Sequence, residues 1–442
     1  DKTGKLKNQV TRGNWEVTNY YGFEEKTKTI FYQSVEGGSI NRAVYKINLN
    51  GKNKIKLTQN TGANSATFSP NFQYFINTFS SASQPTIYTL NEAKAGKEVK
   101  VIEDNKALAD KLKGYNLPLG ATNIMTSGEE YKNIFPIWDW TRVPGTTAVM
   151  NQSAAVLPWY LFGNNEFAGG VSDTQAGVIA YEHSYNGVQA KKAYFFVDGA
   201  MLCLGTGINA IRTQQVVTSV NQCYLKGDIM LGAAEDAAEI KLTDSLKTVK
   251  TNGLKWVYHN GVGYTFPAGG NLTLKNAIQT GTWKSINTTG RAEMISKPVF
   301  SLWLNHGTSP EDDSYYYIVT PQLTLEGFKA QKAQDKFKVL RNDKNLQVVK
   351  YQQQYFIIMY KPGAVELENG LNMSCDSQAI IILKEKENGF QFLLADPIQQ
   401  QKEVNISINK LLKGPNSIQE NGRTKIGFTF PQGDHIGNSV GN

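Results

Sequence analysis

At 442 residues the chain is long enough for two or three domains, each with a substantial core. Its 46 Lys and Arg against 38 Asp and Glu leave a formal charge of +8, which suits a polyanionic partner and also an ordinary basic, solvated surface. No apolar run can cross a membrane, Asp1–Lys7 is not a signal peptide, and the scattered Cys203, Cys223 and Cys375 make neither a disulfide framework nor a zinc site.

β signals dominate in chain order. Thr29–Ser34, Ala43–Asn48 and Tyr74–Thr78 alternate apolar and polar residues, as half-buried strands require. Glu36-Gly-Gly38, Asn50-Gly51 and Ser69-Pro-Asn71 supply turns between them, and Glu24-Glu25 reads as part of a charged turn. Lys106–Leu112 is the clearest helical pattern, with Gly114 as its stop, and Leu325–Gln334 gives a second short helix. Trp138, Trp140 and Arg142 recur at strand spacing, which would put all three on one face. Two indoles and a guanidinium so placed could stack on sugar rings and hold sulfate or carboxylate, or the tryptophans could fill a core between sheets. Trp159 and Tyr160 follow. The cysteines are expected to be buried thiols.

Other chemistry-bearing residues are sparse. Tyr258 and His259 are neighbours in a strand-like run, so they point to opposite faces and make a poor acid–base pair. His306 reads as a turn histidine held by backbone, and Glu311-Asp-Asp313 as a solvated turn. His183 has no motif around it. Gly437-Asn-Ser-Val-Gly441 fits the outline of a nucleophile elbow, yet the helix that must follow the serine has no room before Asn442. Gly205-Thr-Gly207 lacks the context of a nucleotide loop. Asp139 has no second acid on its stretch, so no calcium site is expected.

Two family resemblances meet near Lys113–Gly120. Thr11-Arg-Gly-Asn-Trp-Glu-Val17, Arg42-Ala-Val-Tyr-Lys-Ile47, Ala66–Phe75, Pro85–Leu90 and Val101–Leu108 resemble the last propeller blades of dipeptidyl peptidase IV. That family's hydrolase domain and its paired-glutamate motif have no counterpart here.

From Leu117 the words are Leu117-Pro-Leu-Gly-Ala-Thr-Asn-Ile124, Tyr131–Thr147 with its Trp138-Asp-Trp-Thr-Arg142, Phe167–Ser172, Lys191–Phe196 and Leu202–Ile208. Trp256–Tyr264, Leu304–Gly307, Tyr315–Pro321 and Phe430–Gly433 follow in the same order. These resemble polysaccharide lyase family 8, the chondroitin and hyaluronan lyases. The resemblance implies an all-β chain: a lyase-type β-supersandwich plus a smaller C-terminal β-sandwich, preceded by propeller-like antiparallel strands. The boundaries expected are 1–116 for the peptidase-like segment, 117–335 for the supersandwich and 336–442 for the final sandwich.

The implied reaction is β-elimination on a uronate-containing chain, in which a base removes the proton beside the carboxylate and donors stabilise the charge that develops. In that family those groups come largely from an α-helical toroid outside the matched words, so no catalytic residue is carried over and the chain by itself is expected to be inactive. An acidic polysaccharide is the expected partner, with no nucleic acid, membrane, metal or cofactor, and a secreted or periplasmic location. A silent glycan-binding module and a peptidase fragment are the alternatives, and whether both resemblances belong to one natural protein is open at this level.

Overall fold

A computed structural model describes residues 8–38, 40–81, 84–103, 114–150, 165–211, 213–233, 239–242, 248–287, 290–387 and 389–441. The chain forms two compact units, one built mainly from residues 1–112 and the other from most of 113–442.

The first unit holds two four-stranded antiparallel sheets, each with its strands in sequence order. Val17–Glu24, Thr29–Ser34, Ala43–Asn48 and Ile55–Lys56 make one; Ala63–Phe68, Tyr74–Ser81, Gln84–Glu92 and Glu98–Glu103 make the other. The three strands expected from alternation are all present. Glu24 ends its strand and the charged turn follows. Phe31, Val44, Leu57, Phe75 and Ala93 form a core, and Phe72 stacks on Phe31 at 4.9 Å between centroids. The other face of the first sheet, Tyr32, Ala43, Tyr45 and Ile47, packs with Val10 and Trp15.

The second unit is a stack of four β layers. A nine-stranded sheet runs in the order 168–172, 176–185, 188–197, 200–210, 313–321, 262–265, 256–259, 229–232 and 240–242. One face of it packs on a five-stranded sheet (248–251, 272–281, 295–308, 215–224, 147–149) through Cys203, Tyr264, Leu274, Phe300, Leu302 and Tyr317. Its other face packs on a six-stranded sheet through Val178, Phe195, Leu202, Phe356, Ile358 and Ile382. That third layer in turn covers a final five-stranded sheet through Ile357, Ile381, Ile406 and Phe428. A fully buried Leu, Ile, Val or Phe contributes about 1.5–3 kcal/mol, so three contiguous cores drive the stacking.

The all-β class, supersandwich and C-terminal sandwich are as expected. The helix expected over Leu325–Gln334 is two short ones, Leu325–Gln331 and Ala333–Lys336, split where Lys332 turns left-handed at φ 45°. The 106–112 pattern lies outside the described residues. All three cysteines are free buried thiols. Among the described residues no helix is long and apolar enough to cross a membrane.

Candidate functional site

The Trp138–Arg142 stretch is not a strand. A short 3-10 turn, Phe135–Ile137, places Pro136 against Gly281, where a Cβ would come within 1.8 Å of the Pro136 carbonyl oxygen. The chain then winds through turns pinned by one buried side chain. Gln222 accepts from the Asp139 amide at 2.8 Å and donates to the carbonyls of Asp139 (3.0 Å) and Arg142 (2.8 Å), while its own carbonyl accepts Trp138 Nε1 at 3.0 Å. Trp140 Nε1 donates to Phe135 O at 3.2 Å, and the two indoles meet edge-on at 5.4 Å. Arg142 pairs with Asp139 at 2.5 Å and lies 4.3 Å over the Trp303 ring.

Trp138, Trp140 and Arg142 are therefore brought together, but as a knot against the five-stranded sheet, with 5–6% of their surfaces exposed. This corrects the expectation of a shared strand face. Trp159 and Tyr160 lie outside the described residues.

Three of the four histidines are held in place by packing and hydrogen bonds, and His435 is exposed. His259 stacks on Phe300 at 4.4 Å and accepts the Lys226 amide at Nε2, and burial lowers its pKa to about 4. Tyr258 points the other way, as expected, and donates to Leu323 O at 2.7 Å. His183 is buried in the same sheet, and desolvation with the nearby Lys192 takes its pKa down to about 3. His306 is not a turn histidine. It lies in the 295–308 strand, with Nδ1 2.8 Å from Asp313 and Nε2 2.8 Å from the Thr218 hydroxyl, which in turn meets Thr147 Oγ1 at 2.8 Å. Asp313 thus belongs to this tie between two sheets rather than to a solvated turn. An Asp–His–Thr chain has the connectivity of a nucleophilic triad, but Thr218 has no exposed surface for a substrate to reach.

A second polar centre gave no signal beyond its place in a family word. In Lys191-Lys-Ala-Tyr-Phe-Phe196 the alternation places Lys192, Tyr194 and Phe196 on one face. Lys192 is fully buried and donates to Gly145 O; Tyr194 OH donates to Gly120 O at 2.8 Å and Tyr181 OH to Leu119 O at 2.6 Å. Burial lowers the Lys192 pKa to about 7. Gly120 must be glycine: its φ is +79°, and a Cβ would sit 2.1 Å from the Tyr181 hydroxyl. This hub locks the Leu117–Thr122 and Val143–Thr147 loops to the nine-stranded sheet.

Beyond the hub the same sheet face opens to solvent. Two adjoining cavities, about 580 and 550 Å3, share Gln175 and Phe196 in their walls. The first runs between Ala121–Met125 and the Phe196–Met201 hairpin, and the second over Gly170–Ser172 and Ala176–Ile179.

Comparison with known proteins fits this architecture. Residues 101–332 match the polysaccharide lyase family 8 super-sandwich domain and residues 338–405 that family's C-terminal β-sandwich domain. The chain belongs to polysaccharide lyase family 8. Residues 1–86 match the dipeptidyl peptidase IV N-terminal region. The chain is 36% identical over 358 residues to Chondroitinase-AC of Pedobacter heparinus, covering 80% of this chain and 49% of that relative. A solved structure of chondroitinase AC lyase superposes with a TM-score of 0.67 at 32% identity, over 84% of this chain and 53% of that one. Dipeptidyl peptidase 4 of Arthroderma otae is 34% identical over 113 residues, 25% of this chain and 14% of that relative. The chain thus spans about half the length of its chondroitinase relative.

Proposed function

We propose that this chain is the sheet portion of a glycosaminoglycan lyase of the chondroitinase AC kind, which binds uronate-containing chains and by itself does not cleave them. The observation that carries the reading is the 36% identity to Chondroitinase-AC over 358 residues, 80% of this chain. The net charge of +8 suits an anionic polymer. A secreted or periplasmic location goes with such a substrate.

Absence of cleavage is inferred from the three histidines held within the sheets, the exposed His435 lying outside them in a short 3-10 turn. Abstracting a weakly acidic proton calls for a base that touches substrate and titrates near the working pH. His183 and His259 are buried with strongly lowered pKa values, and His306 is committed to Asp313 and Thr218. Trp138, Trp140 and Arg142, buried as they are, would support a glycan-binding surface from beneath rather than stack on sugars. The peptidase reading rests on the shorter match and gains no catalytic group from the described residues.

The test is to mix the purified chain with chondroitin sulfate and hyaluronan, follow ultraviolet absorbance of an unsaturated uronate product, and run the chain over immobilised chondroitin sulfate. A flat trace with salt-reversible retention is expected. Rising absorbance would overturn the inactivity, and passage straight through the column at low salt would overturn the binding.

A further inference from the structure

The groove centred on Phe196 does not match the acidic polymer just proposed. Among the described residues no Lys or Arg lines either cavity, and the one charged lining residue, Asp198, is a carboxylate paired with Lys336 at 3.0 Å. A uronate or sulfate would find no counter-charge on these walls and one like charge. The surfaces that are present are of two other kinds. Phe196, 41% exposed, stands between the cavities with Ile179 (50% exposed) on the neighbouring strand. Met125 and Met201 add apolar surface, and Asn123 and Gln175 bring amides that can both donate and accept.

The floor is rigid for a physical reason. Phe196 continues the face that carries Tyr194 and Lys192, and the register pairs it with Gly177 on one side and Met201 on the other. With no side chain at Gly177, one flank of the phenyl ring stays clear. The wall beside Ala121 is fixed through the Gly120 and Gly145 carbonyls held by Tyr194 and Lys192. A site on rigid strands next to an anchored loop needs little reorganisation to bind.

We propose that this groove binds a neutral sugar residue, whose C–H face lies on Phe196 and whose hydroxyls meet the amides of Gln175 and Asn123. An amphipathic ring of uncharged hydroxyls matches both halves of the lining: an apolar aromatic platform and short polar side chains without net charge. The site is additional to acidic-chain binding and does not depend on it.

Saturation-transfer NMR on the whole chain with cellobiose, and separately with N-acetylglucosamine, tests the assignment. The expected result is transfer to sugar ring protons from the wild type, weaker by about fivefold in Phe196→Ala, as loss of one aromatic contact implies. Gln175→Ala should weaken it as well, and Phe196→Tyr should retain it. Both alanine variants should keep wild-type retention on immobilised chondroitin sulfate, which separates this proposal from the acidic-glycan reading. Phe196 is half exposed, so its truncation leaves the cores intact; if Phe196→Ala nevertheless melts early, Gln175→Ala decides. No transfer from the wild type to either sugar, or transfer undiminished in the folded alanine variants, would overturn the proposal.

Discussion

Among the described residues no carboxylate lies beside the buried Lys192 amine. It lies 6.0 Å from the Tyr181 ring and 5.9 Å from the Tyr194 ring, and its hydrogen bond goes to a neutral carbonyl. Desolvation lowers its folded pKa from 10.5 to about 7. Between those two values the unfolded chain holds a proton that the folded chain has released, so stability rises with pH across that window. Lys192→Met removes the dependence. Urea midpoints for wild type and variant at pH 6, 8 and 9 should show the wild type gaining on the variant as pH rises. His183 works in the acid range. Its folded pKa is lowered to about 3, so protons favour the unfolded chain as pH falls below the ordinary histidine value. Relative to His183→Gln, the wild type should lose about 2 kcal/mol between pH 7 and pH 5, read from the same urea curves.

At the scale of elements, the Trp138–Arg142 knot depends on Gln222, which sits in the 215–224 strand some 80 residues away in sequence. Gln222→Ala leaves one buried amide and two buried carbonyls without their partner. A loss of about 3 kcal/mol is expected, with tryptophan fluorescence reporting the loosened indoles alongside the unfolding curve. Gly281→Ala pushes a methyl group into the Pro136 carbonyl and should cost about 1–3 kcal/mol in the same assay.

These elements also show what sequence could and could not reveal. Thr29–Ser34 and Ala43–Asn48 are legible because β-branched and aromatic residues bounded by turn residues are a local signal, although both faces of their sheet are covered. Trp138 and Trp140 alternate, but their spacing comes from turns whose hydrogen bonds are supplied by Gln222, and no local pattern encodes that partner. His306 was misread for the same reason: Thr218 holds one of its nitrogens from 88 residues away. The Phe196 groove was missed because the alternation in Lys191–Phe196 marks a face without showing where the covering sheet stops.

For the whole molecule, two separately packed units predict more than one unfolding step. The first unit's central core is small, built around five fully buried residues, against three extensive cores in the second. Calorimetry should resolve an early transition and a later, larger one. Phe31→Ala should lower the early transition and leave the later one in place, because Phe31 contributes to the first unit's core alone. A single transition shifted as a whole would mean that the units unfold as one.

The nine-stranded sheet has consequences for how such a chain can be inherited. Successive residues along its strands serve different neighbours: Tyr194 looks into one core and Phe195 into the next. A gene truncated after the sheet's last strand would not leave a smaller lyase half with a finished surface. It would leave Val178, Ala180, Phe195, Leu202 and Ile318 facing water as a continuous apolar wall, and aggregation is the expected fate of that product. The two lyase-type sandwiches are therefore bound to one another as a unit of descent: recombination can attach new strands ahead of them more easily than it can cut between them.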